Sequence, residues 1–72
     1  MNQLEQAIAD ADQAVKLKPE SETALFYRAH IHKAMGQESL AIADLKKILE
    51  INPRNTAAKK SFDEFLGGVG RK

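Results

Sequence analysis

The chain has 72 residues, with 11 Lys and Arg against 10 Asp and Glu, two His and no Cys. A chain this short holds one domain at most, with a thin core. Its near-neutral charge gives no global steering toward nucleic acid or an anionic membrane, and without thiols it can build neither a disulfide framework nor a thiolate metal centre. No stretch approaches the roughly 20 apolar residues of a membrane span. The start, Met1-Asn2-Gln3-Leu4-Glu5, lacks the basic and apolar regions of a secretory leader. The sequence therefore reads as that of a cytoplasmic protein.

Over residues 3–18, Leu4, Ala7, Ile8, Ala11, Ala14 and Val15 recur at intervals of three and four, which predicts an amphipathic helix. Pro19 ends it, because the residue before a proline is pushed out of the α region. Ser21 is placed to cap a second helix, with Glu22 near the positive end of its dipole. That helix runs to about Met35, with Leu25, Ala29 and His32 on one stripe, flanked by Ala24, Arg28, Ile31 and Met35. Gly36 closes it, since glycine enters the left-handed conformation without steric cost. A third helix is expected over 38–51, its inner stripe Ala41, Leu45 and Ile48 widened by Ile42 and Leu49. Asn52-Pro53-Arg54-Asn55 breaks the chain again and offers Asn55 as a cap. The fourth helix is expected over 56–66, with Ala58, Phe62, Phe65 and Leu66 on one side and Lys59, Lys60, Asp63 and Glu64 outward. Gly67, Gly68 and Gly70 then predict a flexible tail over 67–72.

The chain also repeats itself. Ala7-Ile8-Ala9-Asp10 recurs as Ala41-Ile42-Ala43-Asp44, a shift of 34 residues, and the same shift carries Leu17 onto Ile51 and Pro19 onto Pro53. A period near 34 is that of one helix-turn-helix unit in a tetratricopeptide array. Residues 22–55 resemble one complete tetratricopeptide (TPR) motif. The family pattern Trp-x2-Leu-Gly-x2-Tyr, Ala-x3-Phe, Pro reads here Leu25-x2-Arg28-Ala29-x2-His32, Ala41-x3-Leu45, Pro53. Spacing matches throughout while several residue types are softened. By this resemblance 1–21 is the second helix of a partial motif, 56–66 a terminal or capping helix, and 1–66 one domain. The fold implied is all-α: a short α-solenoid of antiparallel helix-turn-helix units, about four helices in all. The side of the first helix carrying Leu4, Ala7, Ile8 and Ala11 has no first helix of its own motif to cover it. Either the chain is a piece of a longer array or that side self-associates.

The resemblance implies a concave groove that holds an extended or helical segment of a partner. Carried over residue by residue, that groove consists of Thr23, Phe26, His30 and Lys33 on the second helix, continued by Lys60 and Glu64 on the fourth. Phe26 offers an apolar anchor, and His30 and Lys33 offer donors for a carbonyl or carboxylate. Some members of the family hold acidic chaperone tails in a carboxylate clamp, but Glu64 opposes a carboxylate at Lys60, and Phe26 and Tyr27 stand where a clamp wants polar groups. Chaperone-tail binding is not expected.

Other chemistry is thinly supported. His30 and His32 lie two apart, about 200° around a helix, so they do not share a face. His32 stands at the aromatic position of the motif and reads as packing. No metal site, cofactor or catalytic constellation is expected. The glycine-rich end, with Arg71 and Lys72, lacks the preceding strand and following helix of a phosphate loop. Lys46-Lys47 and Lys59-Lys60, with Lys16, Lys18 and Arg54, alternate with acids and read as a solvated surface. The expected function is a non-catalytic scaffold that docks a protein or peptide in the groove; the alternative is a homo-oligomer formed through the first helix.

Overall fold

The structure, a computed structural model, describes residues 3–70, with side chains through Gly67. Four helices follow one another: α1 (Gln3–Leu17), α2 (Glu22–Ala34), α3 (Glu38–Ile51) and α4 (Thr56–Gly70). Each packs on the next in sequence, α1 on α2, α2 on α3 and α3 on α4. The stack spans 33 × 27 × 15 Å. Its short dimension is little more than one helix diameter of about 10–12 Å. No helix among the described residues is long and apolar enough to cross a membrane.

Local signals account for the turns. The Ala24 N–H donates to Ser21 Oγ (3.2 Å) and the Ala58 N–H to Asn55 Oδ1 (2.9 Å), each cap contributing about 1 kcal/mol. Both inter-motif turns close in the same way, Ser21 N–H to Lys18 O (3.0 Å) and Asn55 N–H to Asn52 O (3.1 Å), so the 34-residue period extends to the backbone of the turns. Gly36 takes φ 81° at the end of α2. There the Gln37 N–H reaches His32 O (2.8 Å) and the Gly36 N–H reaches Lys33 O (3.0 Å), the paired bonds of a Schellman stop.

The core is one cluster drawn from α2, α3 and α4: Leu25, Ala29, Ala41, Leu45, Ile48, Ala58 and Phe65, with Val15 of α1 packed against it. Ala29 and Ala41 are both fully covered. Small residues at these positions let two helix axes approach toward the short end of the usual 8–10 Å range.

Two expectations need correction. α4 does not stop at Leu66 but runs through Gly70. Glycine costs only about 1 kcal/mol relative to alanine in a helix, and no proline follows to end it; the last two residues of the expected tail lie outside the described ones. Ala11, placed on the unpaired side of α1, is wholly buried, so the unpaired side lies further round the helix. Asp44, whose burial sequence reasoning did not address, is covered to 6% exposure, where Arg28 meets it.

Ala29→Leu or Ala41→Leu is expected to overpack this crossing and cost about 1–3 kcal/mol. Urea unfolding that finds either variant as stable as the parent would refute the close approach of α2 and α3.

Candidate binding surface

The six groove candidates divide into three sets. Thr23 and Phe26, near the start of α2, line a shallow groove of about 240 Å³ with Glu22, Asn55 and Ala57. Its floor crosses from α2 to the start of α4. The two walls are tied together, because Glu22 Oε1 accepts from both Asn52 Nδ2 (3.1 Å) and Asn55 Nδ2 (2.8 Å). Asn55 thus caps α4 with its oxygen and braces the groove with its nitrogen.

His30 and Lys33 form the second set, one and two turns further along α2. The His30 ring lies 4.5 Å from that of Phe26 and 5.6 Å, edge-on, from that of Phe65. Aromatic pairs at such separations contribute about 0.5–1.5 kcal/mol beyond area burial. Lys33 Nζ stands 5.1 Å from the Phe65 ring centroid and bonds Glu38 Oε2 at 2.7 Å. Lys33 is thus paired with Glu38 across the α2–α3 turn, with one of its three N–H donors used.

Lys60 and Glu64 are exposed on α4. Helical spacing puts them on one stripe with Ala57, but no hydrogen bond or ion pair among the described residues joins them to the α2 set. Sequence reasoning missed Phe65, read only as core, which is the wall against which His30 and Lys33 pack. It also missed Glu22, read as a dipole partner. The signal for Phe65 was available, since it falls 34 residues after Ile31 on the stripe that turns toward the neighbouring unit.

The strongest electrostatic feature joins three helices behind this surface. Arg28 of α2 holds Asp44 of α3 with a fork, Nε to Oδ2 at 2.9 Å and Nη2 to Oδ1 at 2.8 Å. Its remaining nitrogen, Nη1, reaches Asp12 Oδ1 of α1 at 3.1 Å. Bidentate charge-assisted bonds of this kind are among the stronger polar contacts. They raise the Arg28 pKa above its ordinary value, the hydrogen bond to Asp44 being the largest cause and burial opposing it. A raised folded-state value means that stability from the cation is fully present below the unfolded pKa and is lost only in strongly alkaline solution. His32 completes the group, with Nε2 3.9 Å from Asp44 Oδ2 and Nδ1 2.9 Å from Gln37 Oε1. Its role is packing and polar bridging, with His30 turned away to the aromatic set.

A stack of antiparallel helices, with the α2–α3 pair closed by a glycine turn and the neighbouring units joined by proline turns, is an α-solenoid of helical hairpins. Residues 23–55 match the tetratricopeptide repeat model. The chain belongs to the tetratricopeptide-repeat family. It is 36% identical over 58 residues to mouse sperm-associated antigen 1, covering 81% of this chain and 6% of that protein. It is 40% identical over 53 residues to human peptidyl-prolyl cis-trans isomerase FKBP4, covering 74% of this chain and 12% of that protein. It is 35% identical over 61 residues to the human SGT1 homologue, covering 82% of this chain and 17% of that protein. The chain thus spans a small part of the length of these relatives. No solved structure matches.

Arg28→Leu is expected to cost about 2–4 kcal/mol, because it leaves Asp44 buried without its partner. Adding Asp44→Ala should recover at least half of that loss. A denaturant series in which the single and double variants are equally unstable would show that the cost comes from packing and not from the stranded carboxylate.

Proposed function

We propose that the chain is a docking module that holds an extended or helical segment of a protein partner along the α2–α4 surface, without catalysis. The observation that carries this reading is the groove lined by Thr23 and Phe26 of α2 and Ala57 of α4, braced by the Asn55–Glu22 bond. The surface combines an apolar floor, an aromatic stack at His30 and a polar rim, the composition on which protein-recognition hot spots are built. Lys60 and Glu64 extend it along α4, with charges of opposite sign one turn apart. Membership of a family of interaction repeats supports the same reading. The isomerase named among the relatives shares only 12% of its length with this chain, so that activity is not carried over.

Charge narrows the partner. The Lys33 charge is offset by Glu38 and that of Lys60 by Glu64, while Glu22 adds negative charge to the rim. The groove then favours a segment with apolar anchors and a neutral or basic flank over an acidic tail. The setting for this binding is cytoplasmic.

Peptides selected from a random display library against the whole chain are expected to bind this surface. Thr23→Glu and His30→Glu, both at exposed positions, should each weaken the selected peptides by about tenfold, the size of one disrupted hot-spot contact, with melting temperature unchanged for Thr23→Glu and lowered for His30→Glu by the loss of its aromatic pairs. Lys47→Glu, at an exposed position on α3, serves as the control. Peptides that bind the groove variants and the parent equally would rule the groove out as the working surface.

A further inference from the structure

One charge on the α2–α4 groove stands unbalanced. Lys33 is paired with Glu38 and Lys59 with Asp63, and Lys60 has Glu64 one turn on. Glu22 lines the groove with Thr23, Phe26, Asn55 and Ala57, a lining without a cation. It enters no ion pair among the described residues. Its carboxylate is held in place but not neutralised, since Oε1 accepts from two uncharged amides, Asn52 Nδ2 and Asn55 Nδ2. Both amides are fixed in turn, because Asn52 Oδ1 accepts from the Arg54 N–H (3.1 Å) and Asn55 Oδ1 from the Ala58 N–H. Oε2 has no hydrogen bond among the described residues.

Resting on the docking function proposed above, we infer that the occupant of this groove is an extended segment with a lysine two residues from an apolar side chain. The lysine ammonium bonds Glu22 Oε2, and the apolar side chain rests on Phe26 and Ala57. The spacing follows from α2, where Glu22 and Phe26 stand one turn apart, about 6 Å along the axis. In an extended chain, side chains on one face recur every second residue, at about 6.7 Å. A helix of about 10–12 Å diameter is wide for a groove of about 240 Å³, whereas alternate side chains of an extended segment fit it.

Lysine fits better than arginine. A guanidinium bonds most strongly as a fork onto both oxygens of a carboxylate, and Oε1 already accepts two bonds. One oxygen remains, which suits the compact charge of an ammonium. The positive ends of the α2 and α4 dipoles lie at this end of the groove and temper the long-range field of Glu22, so recognition rests on the direct bond. An acidic segment fits poorly, because its carboxylate would stand against that of Glu22 with no cation in the lining to hold it.

The test is selection of peptides from a random display library against the whole chain, then titration of the enriched peptides, made synthetically, into the parent and its variants. Enrichment of a lysine two residues from an apolar residue is expected. Glu22→Gln keeps an oxygen for the two amides and removes the charge, so a far-ultraviolet spectrum matching the parent's is expected. It should weaken the enriched peptides by about tenfold, as should norleucine in place of the peptide's lysine, the magnitude of one charge-assisted bond. The two changes together should cost no more than either alone, as for partners in one contact. Arginine in place of the lysine should bind more weakly, and added salt should weaken the parent complex more than the Glu22→Gln complex. Peptides weakened by Thr23→Glu but indifferent to Glu22→Gln would overturn this inference and leave the groove as the docking surface. Peptides indifferent to both, or a selection without enrichment, would overturn the docking function with it. A lysine four residues from the apolar residue would make the occupant a helix and overturn the extended segment, and enriched acidic peptides would overturn the lysine.

Discussion

One guanidinium organises the interior. Arg28 contacts Asp12 on the helix before it and Asp44 on the helix after it, so three of the four helices meet at a single side chain. In a larger domain such a group would sit within a broad apolar core. Here the short axis is 15 Å, and the core has few fully covered large residues, Leu45 and Ile48 foremost. A polar clasp in so thin a layer does what apolar volume alone does weakly, which is to fix the register of adjacent helices. A bidentate pair is directional where hydrophobic contact is not. The family pattern has leucine at this position, and exchanging it for arginine requires an acid at the matching place on the next helix. Asp44 supplies it, and no buried side-chain nitrogen or oxygen among the described residues lacks a partner.

The alanine contact and the clasp depend on each other. Ala29 and Ala41 bring α2 and α3 close, which puts Arg28, one residue before Ala29, and Asp44, three residues after Ala41, within hydrogen-bond reach rather than across a water-filled gap. Widening the crossing would lengthen both bonds of the fork at once. The groove inherits this rigidity. Phe26 is two residues before Arg28 and His30 one residue after Ala29 on the same helix, and the α4 wall is held by Asn55 at its N-cap and Phe65 in its third turn. The surface for a partner is thus built on helices with fixed spacing, with the loops serving as braces.

Much of this was legible in the sequence because the turns are written in residues with strong local preferences. Pro19, Ser21, Gly36, Pro53 and Asn55 each act on the backbone within a few positions, so their effects need no knowledge of the fold. The helix interiors were legible through spacing, and their pairing through the 34-residue period and the tetratricopeptide resemblance. What stayed hidden depends on partners remote in sequence or on weak signals. The place of Asp44 is not evident until Arg28, 16 residues earlier, is known to face it. The partner of Lys33 is not evident until the α2–α3 turn brings Glu38 beside it. The far end of α4 carries glycines whose preference against helix is real but small, so composition alone sets the boundary badly. Phe65 looked like core on its own helix, and its second role as the wall behind His30 exists only once α2 and α4 stand side by side.

The repeated word Ala-Ile-Ala-Asp separates what residues specify from what neighbours decide. Within α3 it is closed over by α2, its aspartate forked by an arginine and its first alanine fully covered. Within α1 the same four residues, in the same helical conformation, leave their aspartate exposed. Helix formation is therefore encoded in the word, while burial is supplied by the adjoining helix. A repeat architecture makes that distinction general, because each unit offers a face that only its neighbour completes.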